Sequence, residues 1–234
     1  MHEAEYRYKI LNRPDFSYLY VQIPEGKSLN VEAASMASMT KNLKMKTKMK
    51  GGLSRLLTKE SVFQNSYTAI DGDGEIGIAP GPSGDMEHLH ISGNCIYLQG
   101  SAYVASTPGV VVDSKWQGLV KGMFSGNSMF LIRCTGKGDL WFNSFGAIIE
   151  IDVSGEYVVD TGYIVGFTDG LEYSVSAVGG YKSLFFSGEG LVCRFKGNGR
   201  VWVQTRNAPA LARWAQSYRP SDNKGIIGLI NKNT

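Results

Sequence analysis

The sequence predicts an all-β protein made of three similar antiparallel β units, an internal triplication, with one short C-terminal helix. Three observations carry that reading. Glycine supplies 29 of 234 residues, about 12% against a usual ~7%. It accompanies 12 Tyr, 10 Phe and only 7 Pro, a mixture suited to many short strands joined by tight turns. Landmarks also recur in order: Thr40, Thr107 and Thr168 are 67 and then 61 residues apart, and Gly51, Gly118 and Gly179 repeat both intervals. Finally, a Gly-x-Gly followed by alternating apolar residues closes each unit, at Gly72-Asp73-Gly74, Gly136-Lys137-Gly138 and Gly197-Asn198-Gly199. Two independent series agreeing on both spacings mark an internal repeat, which decides the fold where it occurs.

Taken in order, residues 6–10 and 18–23 alternate like strands, with a turn at Asn12-Arg13-Pro14-Asp15 between them. The first unit runs over about residues 20–90, the second over 91–147 and the third over 148–206, together one domain spanning residues 1–220. Each Gly-x-Gly is expected at a tight connection between antiparallel strands, where positive φ favours glycine. Residues 207–217 change character. Asn207 can cap, Pro209 sits in the first turn, and Ala208, Leu211, Ala212 and Ala215 fall at helical spacing, so a helix is expected over 208–217. The tail, 221–234, is expected to be flexible or docked on the body; its apolar Gly225–Ile230 run is too short to cross a bilayer.

No apolar run reaches the ~18–20 residues of a membrane-spanning helix. The N-terminal residues show neither the basic-then-apolar pattern of a signal peptide nor the Arg-rich pattern of a transit peptide. The expectation is a cytoplasmic protein, peripheral to a membrane if it docks there. Cys95, Cys134 and Cys193 are odd in number and lie in apolar strand-like runs, so they read as small buried hydrophobes.

Four stretches resemble a known family: Gly84-Asp85 in the proline-glycine turn, the run from Val158 to Phe167 (VVDTGYIVGF), Phe186-Ser187-Gly188-Glu189-Gly190-Leu191-Val192, and the run from Gly197 to Arg206 (GNGRVWVQTR). Over about residues 20–210 the chain resembles the altered inheritance of mitochondria twenty-four family. The resemblance implies an attenuation-protein-like β fold in which three similar units pack about a pseudo-threefold axis. Its mitochondrial members support cristae-organising complexes at the inner membrane. This chain is similar to the bacterial branch, for which the resemblance supplies neither catalytic residues nor a partner. Kinship with an RNA-binding fold does not by itself imply RNA binding.

Candidate sites are few. His88 and His90, at i and i+2, share one strand face, and with Asp85 nearby they form the best metal candidate, although the single remaining histidine, His2, argues against a three-histidine site. The Gly-x-Gly pairs are not phosphate loops, because strands rather than helix N-termini follow them. No Gly-x-Ser-x-Gly elbow is present, and Asp113 and Asp160 are offset within the repeat, which suits strand ends better than paired acid/base work.

The sharpest surface feature is Lys44, Lys46, Lys48 and Lys50, which line one face of a strand while Met45, Thr47 and Met49 line the other. With Lys41, Arg55 and Lys59 they make seven basic residues without an acidic one, in a chain of net charge +3 whose remainder is therefore net acidic. Such a face suits anionic head groups, a protein partner or, third, a nucleic-acid backbone. It equally suits an edge strand charged to prevent aggregation. The expected function is a non-enzymatic scaffold with no cofactor and no catalytic residues, docking at a membrane surface or in a protein assembly and able to form a homo-oligomer. The alternative is a metal-dependent or small-molecule activity near His88 and His90.

Overall fold

The computed structural model describes residues 4–48, 64–113, 130–177 and 191–219. Alternating apolar residues build sixteen strands among them. These are β1 (Tyr8–Leu11), β2 (Tyr18–Ile23), β3 (Ser28–Glu32), β4 (Met36–Met39), β5 (Leu43–Lys48), β6 (Gln64–Ala69), β7 (Gly74–Ile78), β8 (Met86–Ser92), β9 (Ile96–Gln99), β10 (Tyr103–Ser106), β11 (Val110–Asp113), β12 (Leu131–Asn143), β13 (Ile148–Asp160), β14 (Ile164–Thr168), β15 (Leu171–Ala177) and β16 (Leu191–Gln204). The expected helix is α1 (Ala208–Ser217), capped by the Asn207 side chain, which accepts from the Ala210 N–H at 3.1 Å.

The strand pairings are antiparallel. β1-β2-β7-β4 form one sheet, and β13-β16-β14-β9-β12-β10-β3-β6-β5 run through a larger one, with β8 and β11 on β12 and β15 on β16. The long strands β12 and β16 each serve two neighbourhoods: the first half of β12 pairs with β9 and β11 and its second half with β8 and β10. β16 repeats this with β13, β15 and β14. Ahead of them, β6 and β7 share the same work, β6 pairing with β3 and β5, and β7 with β2 and β4.

One hydrogen bond recurs at each of the three threonines. Thr40 Oγ1 accepts from the Glu75 N–H at 3.0 Å, Thr107 Oγ1 from the Asp139 N–H at 2.9 Å, and Thr168 Oγ1 from the Arg200 N–H at 3.0 Å. Each donor follows a glycine, Gly74, Gly138 or Gly199, where an added Cβ would run into that threonine hydroxyl or the leucine beside it. The short strand before each threonine carries a register shift, at Met36/Ser38, Tyr103/Ala105 and Ile164/Gly166.

The glycine pairs were expected at turns, and here the structure differs. Gly136 and Gly138 lie inside β12, Gly197 and Gly199 inside β16, and Gly74 opens β7; of the six, Gly72 alone sits outside a strand. The physical reason is close approach. The site of a Cβ on Gly136 is taken by the Gly109 carbonyl oxygen, and that on Gly197 by the Gly170 carbonyl oxygen. The strand therefore continues while a tight turn presses against its back.

Among the described residues three apolar clusters fill the interior, and tryptophans tie them together. Leu19, Val21, Leu29, Val31, Ile76 and Ile78 pack with Trp141 from β12. Ile96, Leu98, Tyr103, Ile132 and Phe142 pack with Trp202 from β16. Ile164, Phe167, Cys193, Phe195 and Val201 form the third. Gly77 stands where those tryptophans would be, opposite Ser38 as Trp141 is opposite Ala105 and Trp202 opposite Gly166. The hydroxyls of Tyr18 and Ser38, 2.8 Å apart, occupy its face. The pseudo-threefold arrangement expected from the resemblance would also join β4 to β13; among the described residues that pairing is absent.

Candidate functional site

The chemically richest cluster forms where β8 lies on β12. Their register sets His90 opposite Asp139 and His88 opposite Trp141, so both imidazoles project from one face, as their i, i+2 spacing predicts. Asp139 is fully buried and Oδ1 accepts from both rings, from His88 Nε2 at 3.0 Å and His90 Nδ1 at 2.9 Å. Oδ2 accepts from the Glu5 backbone N–H at 2.6 Å. An ionised carboxylate only accepts, so each of these ring nitrogens is a donor. Burial alone would raise the Asp139 pKa; the hydrogen bonds from His88, His90 and Glu5 outweigh it and hold the carboxyl below its ordinary value. His88 is wedged between Tyr8 and Trp141, ring centroids 4.6 and 5.2 Å away.

Asp85, the carboxylate expected beside these histidines, is elsewhere. It forms a two-point pair with Arg13, Nε to Oδ1 at 2.7 Å and Nη2 to Oδ2 at 3.1 Å, and Arg13 also reaches Glu87 at 3.0 Å. Oδ1 of Asp85 further accepts from the Ser17 hydroxyl and the Met86 N–H. Asp85 thus ties the N-terminal arm to the start of β8. The carboxylate that does join the histidines is Asp139, from a strand 49 residues further on. Its sequence signal is a lone acid between Gly138 and the apolar run Leu140-Trp141-Phe142. Among the described residues no group of three His, Cys, Asp or Glu side chains is arranged to hold a metal ion.

Beside the cluster lies an open cleft of about 540 Å³, lined among others by Tyr6, Lys27, His90 and Lys137 over Gly109 and Gly138. Tyr6 is anchored by donating to the Ser28 carbonyl at 3.0 Å, and burial pushes its phenol up to about 12.

The lysine strand is β5, the last strand of the large sheet, paired only with β6 among the described residues. Lys44, Met45, Lys46 and Thr47 are all exposed, so both of its faces meet solvent. Lys48 closes the strand, whereas Lys50 and Arg55 fall outside the described residues, as does the 221–234 tail. α1 has no buried residue; its Leu211 and Trp214, and the Tyr218 that follows it as C-cap, are 48%, 61% and 70% exposed. Asp113 and Asp160 end β11 and β13, and the Asp160 carboxylate accepts from the Gly162 N–H at 2.7 Å, a strand-end role. Cys134 and Cys193 are buried and Cys95 half-buried; burial raises all three thiols, that of Cys193 to about 12.

The family described as mitochondrial biogenesis AIM24 matches residues 8–206. This chain belongs to that family. It is 26% identical over 230 residues to an uncharacterized protein of Streptococcus pyogenes serotype M6, covering 93% of this chain and 92% of the relative. An X-ray structure of a Streptococcus pyogenes protein superposes with a TM-score of 0.75 at 24% identity, covering 92% of this chain and all of the other, and supports the fold. No helix among the described residues is long and apolar enough to cross a membrane.

Proposed function

We propose that this AIM24-family chain is a non-enzymatic β scaffold, three copies of one unit, that docks on an anionic membrane surface through α1 and the lysine strand. The observation that carries docking is α1. Its ten residues include no buried member, and its Leu211 and Trp214, with Tyr218 just past its end, are exposed beside Arg213, which is unfavourable in water unless something covers them. An amphipathic helix with aromatic residues on its apolar face and basic residues beside it suits the head-group region of a bilayer. Lys44 and Lys46 add to this, since each lysine near an anionic surface contributes ~1 kcal/mol. The three-copy reading is supported by the recurrent threonine hydrogen bond, the recurrent register shift and the shared division of labour between β12 and β16.

Co-sedimentation with neutral and anionic vesicles at low and moderate salt tests the docking. The expected result is salt-sensitive binding to anionic vesicles only, lost when Lys44, Lys46, Lys48 and Lys50 become Glu and weakened in Trp214→Ser. Absence of binding under every condition overturns it and returns the lysines to edge protection. Binding to single-stranded nucleic acid with a steep salt dependence would favour the nucleic-acid reading instead.

A second reading has its own observation: the cleft beside His90 holds Lys27 and Lys137 over glycine backbone, a setting for a small anion. Calorimetric titration with inorganic phosphate tests it, and heat that survives in a Lys27→Ala/Lys137→Ala variant counts against it.

A further inference from the structure

The pairings that join one unit to the next use a common register, and half of that contact is left over at each end of the chain. β10 lies antiparallel on β3, with Ala105 opposite Val31 and Ser106 opposite Asn30. β14 lies on β9 in the same way, with Gly166 opposite Leu98 and Phe167 opposite Tyr97. The strand of the first unit that corresponds to β10 and β14 is β4, since Thr40 follows it as Thr107 and Thr168 follow them, each making the same hydrogen bond. The strand of the third unit that corresponds to β3 and β9 is the second half of β13. Val159 pairs with Cys193 there as Leu98 pairs with Ile132 and Val31 with Asn65. Among the described residues β4 pairs only with β7, and that half of β13 only with β16.

Burial follows the same logic. Where the contact is made inside the chain, Ser106 and Phe167 are buried, and Phe167 stacks on Tyr97 across it at 5.1 Å. Where it is not made, the corresponding Met39 and Val158 are 43% and 47% exposed, and Tyr157 beside them is 43% exposed. Charge fits as well. At the β14–β9 contact the Asp169 N–H donates to the Cys95 carbonyl at 3.2 Å, and its carboxylate accepts from the Cys95 N–H at 2.9 Å. The counterparts of that pair at these two edges, one residue beyond Thr40 and three before Val159, are Lys41 and Glu156, which are of opposite sign and both exposed, Glu156 lying 3.7 Å from Lys196 Nζ of its own chain.

We infer that β4 of one copy of this chain pairs antiparallel with residues 156–160 of a second copy, Ser38 opposite Val159 and Met39 opposite Val158, in a head-to-tail assembly. The inference rests on the three-copy reading. Exposed sheet edges carry unpaired N–H and C=O groups and invite such strand addition. A contact between two different surfaces builds a ring if its rotation closes and a filament if it does not. The end contact lacks a tryptophan, because Gly77 stands where Trp141 and Trp202 seal the internal ones, so it is the weaker contact and the assembly dissociates on dilution.

Sedimentation velocity over a concentration series tests this with the wild type, Met39→Asp and Val158→Asp. Both substituted residues are exposed in the single chain, and unchanged circular dichroism and urea midpoints certify the fold. The wild type is expected to shift from monomer to larger species as concentration rises. Each variant alone is expected to require at least about tenfold more protein for the same shift. An equimolar mixture of the two variants is expected to stop at a dimer, since between them they keep one intact β4 and one intact β13 edge. A wild type that stays monomeric into the hundreds of micromolar overturns the inference, as do variants that assemble like the wild type or a mixture that stays monomeric. The three-copy reading is judged separately, by the stability of the Thr40, Thr107 and Thr168 variants described below.

Discussion

Replacing Asp139 removes the acceptor on which three donors converge: the Glu5 N–H at 2.6 Å, His90 Nδ1 at 2.9 Å and His88 Nε2 at 3.0 Å. Asp139→Ala takes that acceptor from all three. A buried donor stranded in this way costs ~1–3 kcal/mol. The two histidine side chains are 13% and 16% exposed, so water recovers part of the loss. The expected cost is therefore about 3–5 kcal/mol, a large share of the ~5–15 kcal/mol that holds a domain together. Asp139→Asn keeps the shape and one carbonyl acceptor, and its amide can donate to an imidazole that has changed tautomer, so it is expected to cost about 1–3 kcal/mol. Urea denaturation with the slope held common measures both. An alanine variant within ~1 kcal/mol of wild type would refute the reasoning, as would an asparagine variant costing more than alanine.

Further expectations follow from the same geometry. The Asp139 carboxyl is held below its ordinary value, so its contribution to stability is complete above the usual carboxylate pKa of ~3.9 and is lost as pH falls through the lower folded value. The wild type's advantage over Asp139→Asn, read from urea midpoints, should be flat near neutrality and shrink on acidification below that range; growth on acidification contradicts it. Thr107→Val strands a buried N–H and should cost ~1–2 kcal/mol by the same assay, with Thr168→Val and then Thr40→Val costing less as solvent reaches the donor; a Thr107 or Thr168 variant as stable as wild type would count against three copies of one unit. Gly136 and Gly155 have nearly the same φ, +100° and +99°, but a Cβ meets the Gly109 carbonyl at the first and open space at the second. Gly136→Ala should therefore destabilise more than Gly155→Ala, and equal thermal shifts would assign the whole effect to backbone strain. Cys134 and Cys193 should resist a thiol reagent until the protein unfolds, whereas labelling of the native protein at those positions would contradict their burial.

Much of the fold was legible in period-two patterning. The strand expected over 18–23 is β2, and the helix expected over 208–217 is α1, with Asn207 as its cap. These features are local, and local sequence carries them. The glycine pairs were found, but their role was misread, because a positive φ demands glycine both in a turn and where a neighbouring backbone presses on a strand. Only the packing of Gly109 and Gly170 decides between these. The candidate cluster was half legible for a related reason. His88 and His90 share a strand, and their spacing gives their common face away. Asp139 reaches them through the β8–β12 register, which no spacing along the chain encodes. Asp85 was nearer in sequence, but it turns toward Arg13 and the N-terminal arm. The edges of β4 and β13, unpaired among the described residues, were invisible for the same reason: an edge is defined by the strand that does not lie beside it.

Hydrogen exchange read peptide by peptide, with and without anionic vesicles, tests the docking scaffold most directly. The account predicts slowed exchange in α1 (Ala208–Ser217) and along β5 (Leu43–Lys48), with the β8–β12 region around Asp139 unchanged. Unaltered exchange in α1 and β5 at saturating vesicle would contradict it, and slowing confined to β8 and β12 would move the function to the cleft beside His90.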